Sequence, residues 1–359
     1  MNTCFSRCLF SLFAALVLGA AAAPYAAAQE RMTHADIGGT DYVKLADVWK
    51  YYGFTTRKGR AGCVSYGAGN RTVSIRPGKQ DFYVNNYRYI LSFPVKDYGA
   101  ELYISATDLT KLVDPVLRPK YSEKSGTLRT VVIDPGHGGH DSGAVSTYAR
   151  EKDCNLAVAL KLREKLQKKG YKVVMTRDSD FFLTLQQRVQ VANKEPDSIF
   201  VSIHHNSGGS SATGIETFTL APHGTTSPFA RTRRTEDLAG NNQDSENIAL
   251  ATAVHSRAIR ASRAFDRGIQ RARFSVLCTI QRPAILFEGG FVSNAVEGRK
   301  IATAEYQDML AENICQGIVS YADTVCRKRP AAAPAKGKGN VRTGISGAQM
   351  ERMMKGGRK

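Results

Sequence analysis

The sequence predicts an α/β fold, a mixed and largely parallel sheet flanked by helices, preceded by a small α+β domain. Three observations carry this expectation. From Thr130 onward, short apolar runs alternate with amphipathic helical stretches, the pattern of a sheet covered by helices. Residues 36–120 instead hold short runs rich in Tyr and Val, broken by turn pairs such as Gly78-Lys79 and Asn85-Asn86. In the second part, histidines and carboxylates stand at the ends of apolar runs, where open α/β sheets place their sites.

The chain opens with a segment that reads as a leader. Arg7 is the only charge before the apolar run Leu9–Ala23, and Ala26-Ala27-Ala28 supplies small residues for cleavage before Gln29. The run is about fifteen residues, short of the roughly 20 that a spanning helix needs. Residues 1–28 are therefore expected to be a cleaved signal peptide rather than an anchor, and the protein to be exported to the periplasm, cell envelope or exterior.

After a polar lead over 29–35, Val43–Tyr52 has apolar residues at helical spacing. Short strands are expected at Gly62–Tyr66, Arg71–Pro77, Gln80–Val84, Tyr87–Phe93 and Glu101–Ile104. Ser105 or Thr107 can cap a helix through Leu112, and Asp114–Pro119 closes the domain, with Lys120–Thr127 as linker. The second domain, residues 128–326, begins with the strand Thr130–Ile133. Its further strands are expected at Lys172–Thr176, Ser198–Ile203, Gly214–Leu220, Phe274–Leu277 and Ala284–Glu288, and its helices at Leu156–Gly170, Leu185–Asn193, Asn247–Ser262 and Glu305–Tyr321.

Residues 327–359, rich in Ala, Gly, Pro and Lys, lack the apolar content to fold alone. They hold ten lysines and arginines against Glu351, half of the chain's net charge of +18. Nucleic acid is the usual partner of such a tail, but export favours anionic envelope polymers or a membrane surface; a merely solubilising tail is the alternative. Five cysteines remain after the leader: Cys63, Cys154, Cys278, Cys315 and Cys326. A Cys315–Cys326 bridge requires the last helix to end near Tyr321, since eleven helical residues span about 16 Å and a bridge allows roughly 7 Å.

Four segments carry chemistry. His137 follows the first strand through Asp134-Pro135-Gly136 and precedes Gly138-Gly139, which lets the backbone turn and the imidazole face a cleft. Asp134 is close enough to orient a ligand imidazole. The run lacks the Lys-Ser/Thr ending of a phosphate-binding loop. Glu151 sits in the charged run Arg150–Asp153, which by itself reads as an ordinary helix start. His204 and His205 end the strand Ser198–Ile203, and alternation sends them to opposite faces, so one of the pair can serve a given site; Ser202, His204 and Asn206 share a face. Glu288 emerges from a buried run into Gly289-Gly290, where burial raises a carboxyl pKa and suits proton shuttling. Two histidines and a glutamate are what a hydrolytic zinc takes when it keeps a position open for water, and a further free glutamate is its general base. This chemistry alone supports metal-dependent amide hydrolysis and nothing finer.

The sequence from about Leu128 to Tyr321 resembles the zinc-dependent N-acetylmuramoyl-L-alanine amidases of bacteria. The resemblance rests on Asp-Pro-Gly-His-Gly-Gly (134–139), Asp141 with Gly143-Ala144, Glu-Lys-Asp (151–153), Thr176-Arg177, Arg188 with Ala192-Asn193, Ser-Ile-His-x-Asn (202–206), Gly-Ile-Glu-Thr (214–217) and Glu-Gly-Gly-Phe-Val-Ser-Asn (288–294), in the family's order. It implies one Zn2+ held by His137, Glu151 and His204, with Glu288 as catalytic glutamate. It implies hydrolysis of the bond between muramic acid and L-alanine in peptidoglycan. Asp134, Asn206, His205 and Arg177 are further candidates for contacting substrate or supporting the ligands; His205 stands where the family often has alanine. Some members insert a long regulatory helix where this chain has the short polar interval Pro222–Glu246, so no buried inhibitory helix is expected. The competing readings are another zinc amidohydrolase or peptidase acting on wall peptides, a catalytically inactive wall-binding protein, and an anionic-polymer-binding protein driven by the tail. Residues 42–48 and 102–109 resemble, more weakly, the copper amine oxidase N-terminal-like domain of envelope proteins, which is not expected to bind copper; wall attachment or a spacer role is the expectation there.

Overall fold

The computed structural model describes residues 25–60, 62–121, 126–228 and 236–326. The expected tail and the expected leader up to residue 24 lie outside the described residues, as do residues 122–125 of the linker.

Among the described residues, eleven strands form one continuous sheet. One end of it is parallel: Lys172–Met175 at the edge, then Thr130–Pro135, Ser198–Asn206 and Ala284–Phe291 lie side by side in that order. Ile215–Leu220 then pairs antiparallel with Ala284–Phe291 and parallel with Asp266–Ala272. Every residue of Thr130–Pro135 is buried, as expected of a parallel strand covered on both faces. One face presents Val131, Ile133, Val201, Ile203, Ile285 and Phe287 to a core shared with the helices Glu151–Lys168, Asp244–Ser262 and Ala304–Val325. The other packs Val132, Phe200 and Leu286 against the helices Leu185–Asn193 and Ser275–Cys278.

Local chemistry sets the helix ends. The Leu185–Asn193 helix starts at Thr184, whose side chain and that of Gln187 form a reciprocal capping box, worth about 1 kcal/mol. Glu151–Lys168 stops before Gly170, which adopts φ +87°. The helix begins five residues earlier than its apolar pattern suggests, which places Glu151 in its first turn.

The N-terminal part holds a four-stranded sheet and a meander. In the meander Thr56–Arg60, Cys63–Ala68, Arg71–Ile75, Asp81–Val84 and Tyr87–Ile90 follow one another antiparallel. Its last strand meets Asp266–Ala272 through the Ile269–Tyr89 pair, and Asp266 accepts a hydrogen bond from the Arg88 N–H at 3.0 Å. Trp49, on the helix Leu45–Tyr51, packs edge-on to Phe54 and parallel to Phe82 beneath the meander.

Three expectations are corrected. Phe274–Leu277 is not a strand; Ser275–Cys278 is a helical turn, and the strand is Asp266–Ala272. The charges of Asp266, Arg267 and Arg271 hide the buried Gly268, Ile269 and Ala272 from an apolar-run reading. The polar lead is partly structured, since the strand His34–Asp36 opens the small sheet. The last helix runs through Val325, which keeps Cys315 and Cys326 about 16 Å apart; the five described cysteines form no disulfide with one another.

Candidate metal centre

The first donor is placed by a strained turn. His137 adopts φ +61°, a conformation a side chain accepts at a cost of about 1–3 kcal/mol unless the surroundings impose it. They do so here. Arg188 donates to the His137 carbonyl at 2.8 Å, Arg177 to the carbonyls of Pro135 and Gly136, both at 2.9 Å, and Gly138 N–H to Asp141 O at 2.9 Å. Gly136 leaves room for the neighbouring imidazole, because a Cβ there would overlap the His204 ring.

The three donors then converge. His137 Nδ1 is engaged by Asp141 Oδ2 at 2.8 Å, which leaves Nε2 at 3.1 Å from Glu151 Oε1. The same oxygen lies 2.9 Å from His204 Nδ1, at the end of the Ser198–Asn206 strand. Glu151 Oε2 accepts the Ala144 N–H at 2.8 Å, and Asn155 Nδ2 steadies Oε1 from one turn along the helix. One ligand atom from each of His137, Glu151 and His204 lies within 4.8 Å of the others. Burial opposes ionisation of Glu151, but its bonds to His137 and His204 outweigh it and hold the carboxyl well below the usual range. An ionised carboxylate with two imidazoles, one of them oriented by a carboxylate behind it, is a donor set that fits zinc.

Glu288 stands beside this cluster. It is in register with His204 on one neighbouring strand and with Glu216 on the other, so the three side chains leave the sheet on one side. Its Oε2 is buried with no hydrogen-bond partner among the described residues. Burial, reinforced by the charges of Glu151 and Glu216, raises its pKa well above the ordinary glutamate value. Glu216 is itself held by Arg267 at 3.1 Å, by Gln270 and by Asn206.

The remaining candidates separate. Asp134 does not orient an imidazole: it is buried on the strand and accepts from Thr176, Arg188 and Ser202 at 2.6–2.8 Å. The carboxylate that orients His137 is Asp141, four residues on, signalled in the sequence only as part of the motif. Arg177 is not available to substrate; it is fully buried and spends its donors on the carbonyls of Pro135, Gly136, Lys152 and Ser179. His205 does not line the site either. It points into the core, where Nδ1 meets Asn155 Oδ1 at 2.8 Å, and burial lowers its pKa to about 4. Asn206 reaches Glu216 rather than the donor cluster. Asn155 and Glu216 are the supports that sequence reasoning missed. In the interval Pro222–Glu246 the described residues carry the 3-10 turn Ala239–Gln243, and 229–235 lie outside the description.

A helix-covered α/β sheet with a His-Glu-His cluster able to hold a metal ion, and a glutamate with a buried, partnerless Oε2 beside it, fits a class of amide hydrolases. The chain belongs to the N-acetylmuramoyl-L-alanine amidase family Amidase_3, which matches residues 131–320, and is a peptidoglycan amidase by that membership. An uncharacterized protein of Bacillus subtilis, YqiI, is 38% identical over 195 residues, covering 54% of this chain and 85% of the relative. The N-acetylmuramoyl-L-alanine amidase AmiC of Escherichia coli is 36% identical over 242 residues, 60% of this chain and 58% of AmiC. The catalytic domain of the amidase CwlV from Bacillus (Paenibacillus) polymyxa superposes with a TM-score of 0.46 at 36% identity, covering 55% of this chain and 99% of that one.

Proposed function

We propose that the protein is an exported, zinc-dependent amidase that releases stem peptides from the glycan of peptidoglycan during wall remodelling or daughter-cell separation. The observation that supports this reading best is the convergence of His137, Glu151 and His204 beside Glu288, whose Oε2 is buried with no hydrogen-bond partner among the described residues.

A zinc ion held by those three side chains would supply the Lewis acidity that activates water and polarises the amide carbonyl. Glu288 does the proton work. Its raised pKa makes it a stronger base than an ordinary carboxylate, so it accepts a proton from the attacking water and then hands it to the leaving nitrogen of L-alanine. Arg177 and Arg188 hold the backbone of the His137 turn, and Asp141 fixes which imidazole nitrogen faces the site. His205, kept neutral by burial, adds no competing charge behind Glu151.

The domain division read from sequence stays part of the proposal: residues 128–326 carry the catalysis, and 36–120 a wall-facing extension. The tail 327–359 is assigned to anionic envelope polymers or the membrane surface. Metal analysis of the mature protein tests the zinc assignment. One equivalent of zinc, lost in His204→Ala together with activity, is expected; full activity after exhaustive chelation would sink it.

A further inference from the structure

Beside the donor cluster lies an exposed ring pair for which the fold has no use. His140 and Phe182 pack with centroids 4.2 Å apart, tilted by 35°. Phe182 is 39% exposed and Leu185, three residues on, 52% exposed. Single exposed apolar residues are ordinary on protein surfaces; this pair differs in resting on loops hydrogen-bonded to the segments that carry His137 and Glu151.

Its rigidity follows from the glycines and from Asp180. A Cβ on Gly139 would lie 2.7 Å from the Phe182 nitrogen, so the two loops touch backbone to backbone. Asp180 Oδ1 accepts the Gly139 N–H at 2.7 Å, and its Oδ2 accepts Lys152 Nζ at 2.7 Å. Lys152 also donates to the Gly139 carbonyl at 2.8 Å and directly follows Glu151. The shelf is thereby fastened to both segments that carry ligands. His140 lies three positions beyond His137, a span of at most about 11 Å.

We propose that the His140–Phe182 shelf is the glycan subsite, where an N-acetylated pyranose on the sugar side of the scissile amide stacks. This rests on the amidase reading above. In such a substrate the muramic acid ring is one lactyl group away from the reacting carbonyl, so a sugar must lie within a ring's width of the metal donors. The C–H face of a pyranose is electropositive and packs on the negative face of an aromatic ring. A shelf already fixed in place loses little entropy on binding. The stem-peptide side would instead present carboxylates; His140, Phe182 and Leu185 carry no fixed positive charge, and the nearby Lys152 is already paired with Asp180 at 2.7 Å.

The test uses the mature full chain, stripped of metal, titrated with chitotetraose and followed by calorimetry, with thermal melts as folding controls. Saturable binding is expected. It should weaken about fivefold to tenfold in Phe182→Ala and be retained in Phe182→Tyr, the size of one lost stack. With the zinc-loaded enzyme and a glycan-bearing muropeptide, Phe182→Ala should raise KM by a similar factor and leave kcat within about twofold. No binding of the oligosaccharide, equal binding by wild type and Phe182→Ala, or a loss confined to free stem peptide would each overturn the proposal. Oligosaccharide binding that needs Phe182 in a protein that hydrolyses no muropeptide would keep the shelf and sink the amidase reading instead.

Discussion

Replacing Asp134 by alanine leaves the guanidinium of Arg188 buried without its counter-charge. Both side chains are almost wholly inaccessible, at 1% and 3% exposure, and they meet at 2.8 Å. Removing one partner of such a pair costs about 3–5 kcal/mol, because the other charge stays desolvated. At roughly 2–4 °C per kcal/mol for a chain of this size, Tm should fall by roughly 6–20 °C. The pair also has a pH signature. Burial opposes ionisation of Asp134, but Arg188, Thr176 and Ser202 outweigh it and hold the carboxyl below the ordinary 3.8. A depressed carboxyl contributes stability that is fully present above its unfolded value. That contribution is lost as pH falls from about 3.8 through the lower folded value. Urea unfolding of wild type and Asp134→Ala at pH 7 and at steps down to pH 3 measures both effects, and the gap between them should narrow in acid. The double variant Asp134→Leu with Arg188→Leu should cost much less than the two single changes together. A single-variant loss under about 1 kcal/mol, or strict additivity, would refute the reasoning.

Further outcomes follow from the same geometry. Asp141→Ala should weaken zinc affinity about 10–100-fold in competition with a chelator while the metal-free Tm barely moves, since the carboxylate is 41% exposed and bonds His137; unchanged affinity contradicts its orienting role. Glu288 must be deprotonated to accept a proton, and burial, then the charges of Glu151 and Glu216, raise its pKa. Glu216→Gln removes one of those charges, so the acidic limb of the kcat/KM profile should move to lower pH, and a shift upward or none at all contradicts this. Thiol titration of the unfolded mature protein without reductant should find all five cysteines reactive, as the described residues hold no bridge; three reactive thiols would reveal one.

Much of the site was legible because its donors obey strand periodicity. His204 and His205 part to opposite faces as alternation requires, and Glu288 leaves the sheet beside His204 because their strands pair in register. The helix Leu185–Asn193 was readable to the residue because Thr184 and Gln187 write its start. Elsewhere local signals misled. Asp134 looked nearer to His137 than Asp141 does, but the left-handed turn at His137 swings the ring away from the strand. Arg177 reads as a candidate for contacting substrate or supporting the ligands, and a guanidinium has enough donors to be buried whole among four carbonyls. The meander's junction with the second half rests on Tyr89 and Ile269, 180 residues apart, which no local pattern encodes.

The most direct test is digestion of purified peptidoglycan by the mature protein, with and without a chelator, read by mass spectrometry beside Glu288→Ala. Free stem peptides beginning with L-alanine are expected, abolished by the chelator and by Glu288→Ala, and restored to the chelated wild type by zinc. Stem peptides released equally by Glu288→Ala, or cuts inside the peptide with the muramic acid link intact, would contradict the account.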